Sequence, residues 1–277
     1  MRNFKIYICM LLSIVIGGCS NNQDVEPTAK SIRSIDDFAW LGTLHNSFLD
    51  SVSRDGHEEG TRTGHTQIDW EQVHIQQVAQ AQSLNIEPVY KDILVNSICD
   101  TKEFYDTDKL YVSAFPNGNL SEISAQFGRL FHLQVIDNFE LSILNELATD
   151  TKKNMDGVIT NAQLTETVDR LCLLWNNKYG LSIKKDGLYS GYILSIAKAS
   201  MEWWNDEDIP TRAATEVIGA DVAGAIVGAA SSAIIQYSTT GKVDAKAVGY
   251  SALGGAITGS TGIVGKVGKL ITKFIFG

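Results

Sequence analysis

Two apolar segments toward the C-terminal end place a small residue at every fourth position, a pattern that very few folds can use. In residues 217–235 the residues Ala220, Gly224, Gly228 and Ser232 fall on one helical face, and in residues 247–265 Ala247, Ser251, Gly255 and Gly259 do the same. The first segment holds six Ala, three Gly, seven Val or Ile, two Ser and a single acid, Asp221. Glycine inside a helix costs about 1 kcal/mol per residue. Repeating that cost along one face is offset when another helix lies against the face at backbone range, the small-xxx-small device of membrane helices. A polar stretch, 236–246, joins the two segments. The spacing therefore predicts an antiparallel helical hairpin, with Ala220, Gly224, Gly228, Ser232, Ser251, Gly255 and Gly259 as its contact residues. Spanning a bilayer takes about 20 apolar residues, and these segments only just reach that length. Asp221 near a bilayer centre would cost about 3 kcal/mol. Three fates stay open for the hairpin: it spans or inserts into a bilayer, it forms the buried core of a small soluble subdomain, or it docks on the body.

The last residues change character. Lys266, Lys269 and Lys273 fall on one side of a helix, with Val267, Leu270, Ile271, Phe274 and Ile275 on the other. A short, basic, amphipathic helix of this kind lies in a membrane interface with its lysines toward phosphates. The net charge of −9 hides an asymmetry. Removing the +2 of residues 1–18 and the +3 of residues 211–277 leaves −14 for the chain between them. An acidic body argues against nucleic acid as a partner, because phosphate binding needs clustered Lys and Arg.

The chain from 36 to 205 reads as an acidic α-helical domain. Phe38, Leu41, Leu44 and Phe48 recur at helical spacing, and the helix they mark is expected to end near Val52, before a polar loop over 53–66. Further helices are predicted for 68–84, from Pro88 to Cys99, from Ser121 onward, from Thr160 or Asn161, and for 187–204. The face Ile123, Phe127, Leu130, Phe131, Val135 and Ile136 continues in pattern through Leu144. No run of period-two alternation suggests a strand. The expected fold is all-α: a helical domain followed, after a boundary at 205–212, by the Gly/Ala-rich antiparallel hairpin of residues 212–277.

The N-terminal end addresses the chain. Arg2 and Lys5 precede the apolar run Ile6 to Ile16, which is too short for a spanning helix and has the form of a secretory signal. It closes on Gly17-Gly18-Cys19, which resembles the lipobox of bacterial lipoproteins. That resemblance implies removal of residues 1–18, lipid on Cys19, and a tether over 19–35. Ser20 after the cysteine implies release to the outer membrane rather than retention at the inner one. Trp40-Leu41-Gly42-Thr43-Leu44-His45-Asn46 resembles the opening of uncharacterised lipoproteins of Bacteroidota, and Asp50-Ser51-Val52 fits their O-glycosylation tripeptide. The hairpin resembles glycine-zipper segments of envelope proteins and, more loosely, the Gly/Ala-rich cores of class II bacteriocins.

The residues recommend no catalytic chemistry. Glu71 and His74 stand at the spacing of half a di-iron site, but the chain has no second Glu-x-x-His. His57 and His65 flank a polar, glycine-bearing stretch that lacks the two-histidine helical face of a zinc protease. No nucleophile elbow, phosphate loop or dinucleotide fingerprint is present. No metal or cofactor is expected. Trp203 and Trp204 mark either an interface or a helix closing onto the core. Cys99 and Cys172, in a compartment that permits disulfides, are either a bridge worth about 4 kcal/mol or two thiols at unrelated positions. The expected protein is a non-enzymatic envelope lipoprotein whose partners are the bilayer, through lipidated Cys19, and membrane or another protein, through the hairpin. A helical envelope hydrolase or lysin, and a membrane-perforating antagonist, are the alternatives.

Overall fold

The computed structural model describes residues 34–63, 70–105, 120–180, 188–206 and 211–276, with side-chain surroundings described for 34–51, 72–99, 123–180, 188–204 and 218–260. Cys19, His65 and residues 19–33 of the expected tether lie outside the described residues, while its last two, Ser34 and Ile35, already belong to the folded first turn. The side chains of His57, Glu71, Lys266, Lys269 and Lys273 also lie outside them, although the backbone of the three lysines is helical. Among the described residues there is no strand. A 3-10 turn, Ile35–Phe38, leads into α1 (Ala39–Thr63), followed by α2 (Trp70–Ser83), α3 (Pro88–Tyr105), α4 (Leu120–His132) and α5 (Asn138–Met155). Then come α6 (Asn161–Tyr179), α7 (Leu188–Asp206), α8 (Thr211–Thr240) and α9 (Ala245–Phe276).

Local chemistry accounts for the breaks. Ser34 caps the first turn, with Asp37 completing a capping box. Thr160 caps α6 and is answered by Gln163. The single long helix anticipated over Ser121 to Leu144 is in fact two. Gln134 adopts φ 57°, which no helix continues through. Asp137 then starts α5 by accepting from the amides of Phe139 and Glu140, both at 2.8 Å. The loop expected at 53–66 is also corrected, since α1 runs on to Thr63. Apolar periodicity stops at Val52 but helical hydrogen bonding does not depend on it.

The α8–α9 hairpin is the centre of the molecule. Its two helices make their most extensive contact with each other. Around them stand α1, α3 and α7 against α9, and α4, α5, α6 and α7 against α8. From Ile218 to Ala230 α8 is apolar nearly all the way round, and every residue of that stretch is buried or half-buried, as such a helix requires; Ser231 and Ile235 beyond it are exposed. Val222, Ala225, Ile226, Ala229 and Ala233 of α8, and Val248, Ala252, Leu253, Ala256 and Ile257 of α9, are buried. Residues 32–277 accordingly form one compact unit. α7, before the boundary expected at 205–212, and α8, after it, pack against each other.

Farther out, Phe38 meets Trp175 and Tyr192 edge-on, with ring centroids 5.6 and 4.9 Å apart. This cluster joins the first turn to α6 and α7. No disulfide links Cys99 to Cys172. Cys99 is on the exposed side of α3, whereas Cys172 is buried in α6, where burial pushes its thiol up to about 12.

Candidate functional site

The hairpin seam is built from backbone. A Cβ placed on Gly224 would strike the carbonyl of Gly255, and one on Gly255 would strike the carbonyl of Gly224. Gly228 faces the Ser251 carbonyl in the same way, and Gly259 faces that of Ala220. Six of the seven residues anticipated from the spacing therefore meet across the two helices. The seventh, Ser232, is half-buried and accepts from Gln236 Nε2 at 2.9 Å. Gln236 in turn accepts from Asp244 N at 2.8 Å and so shapes the hairpin's turn. Gly241, with φ 70°, ends α8, and Asp244 caps α9.

Asp221, the one acid of the apolar segment, is fully buried and is the hub of a polar node. Its Oδ2 accepts from Ser200 Oγ at 2.6 Å and from Trp204 Nε1 at 2.9 Å, both on α7. Its Oδ1 accepts from Ser260 Oγ on α9. His45 of α1 brings Nε2 to 3.6 Å from Oδ2. The ring's other nitrogen, Nδ1, lies 3.0 Å from Asn46 Oδ1, while Asn46 Nδ2 donates to Ala199 O at 3.2 Å. That second bond fixes the amide, so Nδ1 is the donor toward Asn46. A proton on Nε2 would then point at the carboxylate. Burial raises the Asp221 carboxyl above its usual range, opposed by His45 and by the three donors.

The node contains Ser, His and Asp but not the geometry of a nucleophilic triad. In a triad the hydroxyl and the carboxylate use opposite ring nitrogens. Here Ser260 Oγ, at 3.4 Å, and Asp221 both approach Nε2. Ser260 also donates into the carboxylate itself, and all three side chains are sealed from solvent. The arrangement fixes a carboxyl among hydroxyl, indole and imidazole partners, away from solvent.

Trp203 and Trp204 close α7 onto its neighbours. Trp203 donates to Asp50 Oδ1 of α1 at 2.8 Å, and Trp204 serves Asp221. His74 is half-buried on α2 and His132 exposed at the end of α4. Among the described residues no group of three His, Cys, Asp or Glu could hold a metal ion.

A groove of about 1270 Å³ opens at the turn end of the hairpin, lined by Gln134, Glu140, Tyr189, Tyr192, Tyr237 and Lys242 among others. None of the Asp221 node residues lines it. Glu140, buried on α5, accepts from Ser190 N and Oγ, both at 3.0 Å. Burial pushes its carboxyl up to about 7, despite these bonds.

Sequence reasoning missed the node. It treated Asp221 only as a cost in a bilayer and did not look for its partners. A lone acid on an all-apolar helix was the available signal, because a buried carboxylate demands donors. Comparison with protein-family models, with curated proteins and with solved structures gives no match for this chain.

Proposed function

We propose that this is a lipid-anchored, non-enzymatic protein of the bacterial cell envelope, tethered at the outer membrane through Cys19. Its Gly/Ala-rich hairpin associates with membrane, or with a partner's helices, when it leaves the helices that cover it. One observation carries the reading. The hairpin holds itself together through backbone contacts on its inner seam, and it presents an apolar outer surface to the surrounding helices. Such a unit needs no repacking of its own interface to exchange a protein environment for an apolar one. Within it, the helix over 218–240 is long and apolar enough to cross a membrane, and its most apolar 18 residues have mean hydropathy 1.7 and are 61% buried by protein. The basic tail of α9 adds attraction to anionic headgroups, screened by salt.

The test has two arms. Mass spectrometry of the N-terminal peptide from envelope fractions should find lipid on Cys19, and Cys19→Ser should abolish both the lipid and sedimentation with outer membrane. The full chain carrying Cys19→Ser should then bind anionic vesicles more in about 2 M urea, which lowers the cost of exposing apolar surface, than in buffer. Binding that urea does not increase would mean that the hairpin is a permanent core, and would remove the second half of the proposal.

A further inference from the structure

We infer that Asp221 is a latch: its carboxylate keeps the α8–α9 hairpin sheathed in the body and sets the threshold for its exposure. The inference rests on the reading of the hairpin as a membrane-associating element. Apolar and polar contacts together hold the hairpin in place. Most are apolar, made by side chains such as Ile226 and Leu253, and lipid tails replace these without loss because they are as apolar as leucine.

The polar contacts at the turn are replaceable too. Tyr90 Oη donates to Asp244 Oδ2 at 3.0 Å, and Lys246 Nζ to Glu87 Oε1 at 2.6 Å. Both pairs are exposed, so water substitutes for them at little cost. Ser97 Oγ donates to Ser251 O at 3.1 Å, and that carbonyl belongs to a helix whose own hydrogen bonds stay with it.

Asp221 differs from all of these. Of the four side chains around its carboxylate, Ser200 and Trp204 belong to α7, His45 to α1, and Ser260 alone travels with the hairpin. Separation from the body therefore strips the group of two donors and its imidazole at once. Neither lipid nor the hairpin supplies a replacement in an apolar setting. Among the contacts of the described residues, this side chain is thus the one whose partners a hairpin surrounded by hydrocarbon would lose without replacement. It also explains why an acid occupies residues 217–235, a segment otherwise made of Ala, Gly, Val, Ile and two Ser.

The experiment uses the full chain with Cys19→Ser in every sample, so that the lipid anchor does not contribute, and dye release from anionic vesicles at pH 7. Asp221→Asn keeps the shape and removes the charge. It should release dye about tenfold faster than the parent, less than the full bilayer cost of an aspartate, about 3 kcal/mol, would give, since asparagine is itself polar. Leu164→Ala, a buried truncation on α6, supplies a destabilised control whose urea midpoint is matched to that of Asp221→Asn. Release by Asp221→Asn no faster than by this control would overturn the latch, since general loosening would then account for it. Should Asp221→Asn fail to fold, Ser200→Ala removes one tie to the body, leaves the charge, and should still exceed its own matched control. No excess there overturns the inference equally. The parent chain in about 2 M urea separates the two ideas. Release by the parent in urea without an excess for Asp221→Asn in buffer refutes the latch alone. No release from any sample refutes the membrane reading and the latch with it.

Discussion

Replacing Gly224 with alanine tests the backbone seam directly. In an ordinary helix interior the change stabilises by about 1 kcal/mol, because alanine loses less backbone freedom. At Gly224 the new methyl would strike the Gly255 carbonyl oxygen, and would sit 2.7 Å from Gly255 C and 3.2 Å from Ala256 N. The obstacle is main chain of the facing helix, not the tip of a side chain, so no rotamer change relieves it. The two helices must separate, and the reciprocal contacts at Gly228 with Ser251 and at Gly259 with Ala220 loosen with them. Overpacking of this kind costs about 1–3 kcal/mol, and a backbone obstacle belongs at the upper end. Set against the propensity gain, the net loss is about 1–2 kcal/mol, a fall in Tm of about 2–8 °C for a chain of this size. Gly128→Ala on α4 is the internal standard, since a Cβ there meets nothing within 4 Å. It should raise stability by about 0.5–1 kcal/mol. Circular dichroism melts and urea titrations of both variants read the contrast. If Gly224→Ala is as stable as Gly128→Ala, the helices do not approach at backbone range and the account of the seam is wrong.

Glu140 makes stability depend on pH in a defined direction. Burial pushes its carboxyl up to about 7 in the folded protein, against an ordinary value of 4.5, so the folded state holds the proton more tightly. The stability it contributes is present below about pH 4.5 and is lost as pH rises through about 7. Urea midpoints should thus fall between pH 5 and pH 8, and Glu140→Gln should flatten that slope; an unchanged slope would refute the assignment. Asp137→Ala removes both the cap of α5 and the acceptor of Tyr179 Oη at 2.8 Å, and should cost about 2 kcal/mol in urea titrations. Because Cys99 and Cys172 are not bridged, a reducing agent should leave Tm unchanged, and a mass shift of two protons on reduction would contradict the structure.

The hairpin was legible because its signal is local. Small residues at four-residue spacing say what must lie against them, and Gly224, Gly255 and Gly259 meet backbone as that spacing requires. The all-helical class followed from the same periodicity along the body. What periodicity does not carry is termination. Gln134 at φ 57° interrupts an apolar pattern that reads straight through it, and α1 outlasts its own apolar stripe. The node was illegible for another reason. His45, Ser200, Trp204, Asp221 and Ser260 come from four helices, and no short-range spacing connects residue 45 to residue 260. Only the demand of a buried carboxylate for donors pointed there, without saying which donors.

The entry of the chain into the body sets a path for mechanical load. Ile35 N donates to Asn176 Oδ1 on α6 at 2.8 Å, and Ser195 Oγ on α7 donates to Phe38 O at 2.9 Å. Asp36 meets Lys198, also on α7, at 3.3 Å. A pull on the chain before Ser34 is therefore borne by α6 and α7 before it reaches any other element. The same helix α7 carries Ser200 and Trp204, the two donors that grip Asp221. The seat of the first turn and the grip on Asp221 thus share one helix, so a shift of α7 that loosens one also bears on the other.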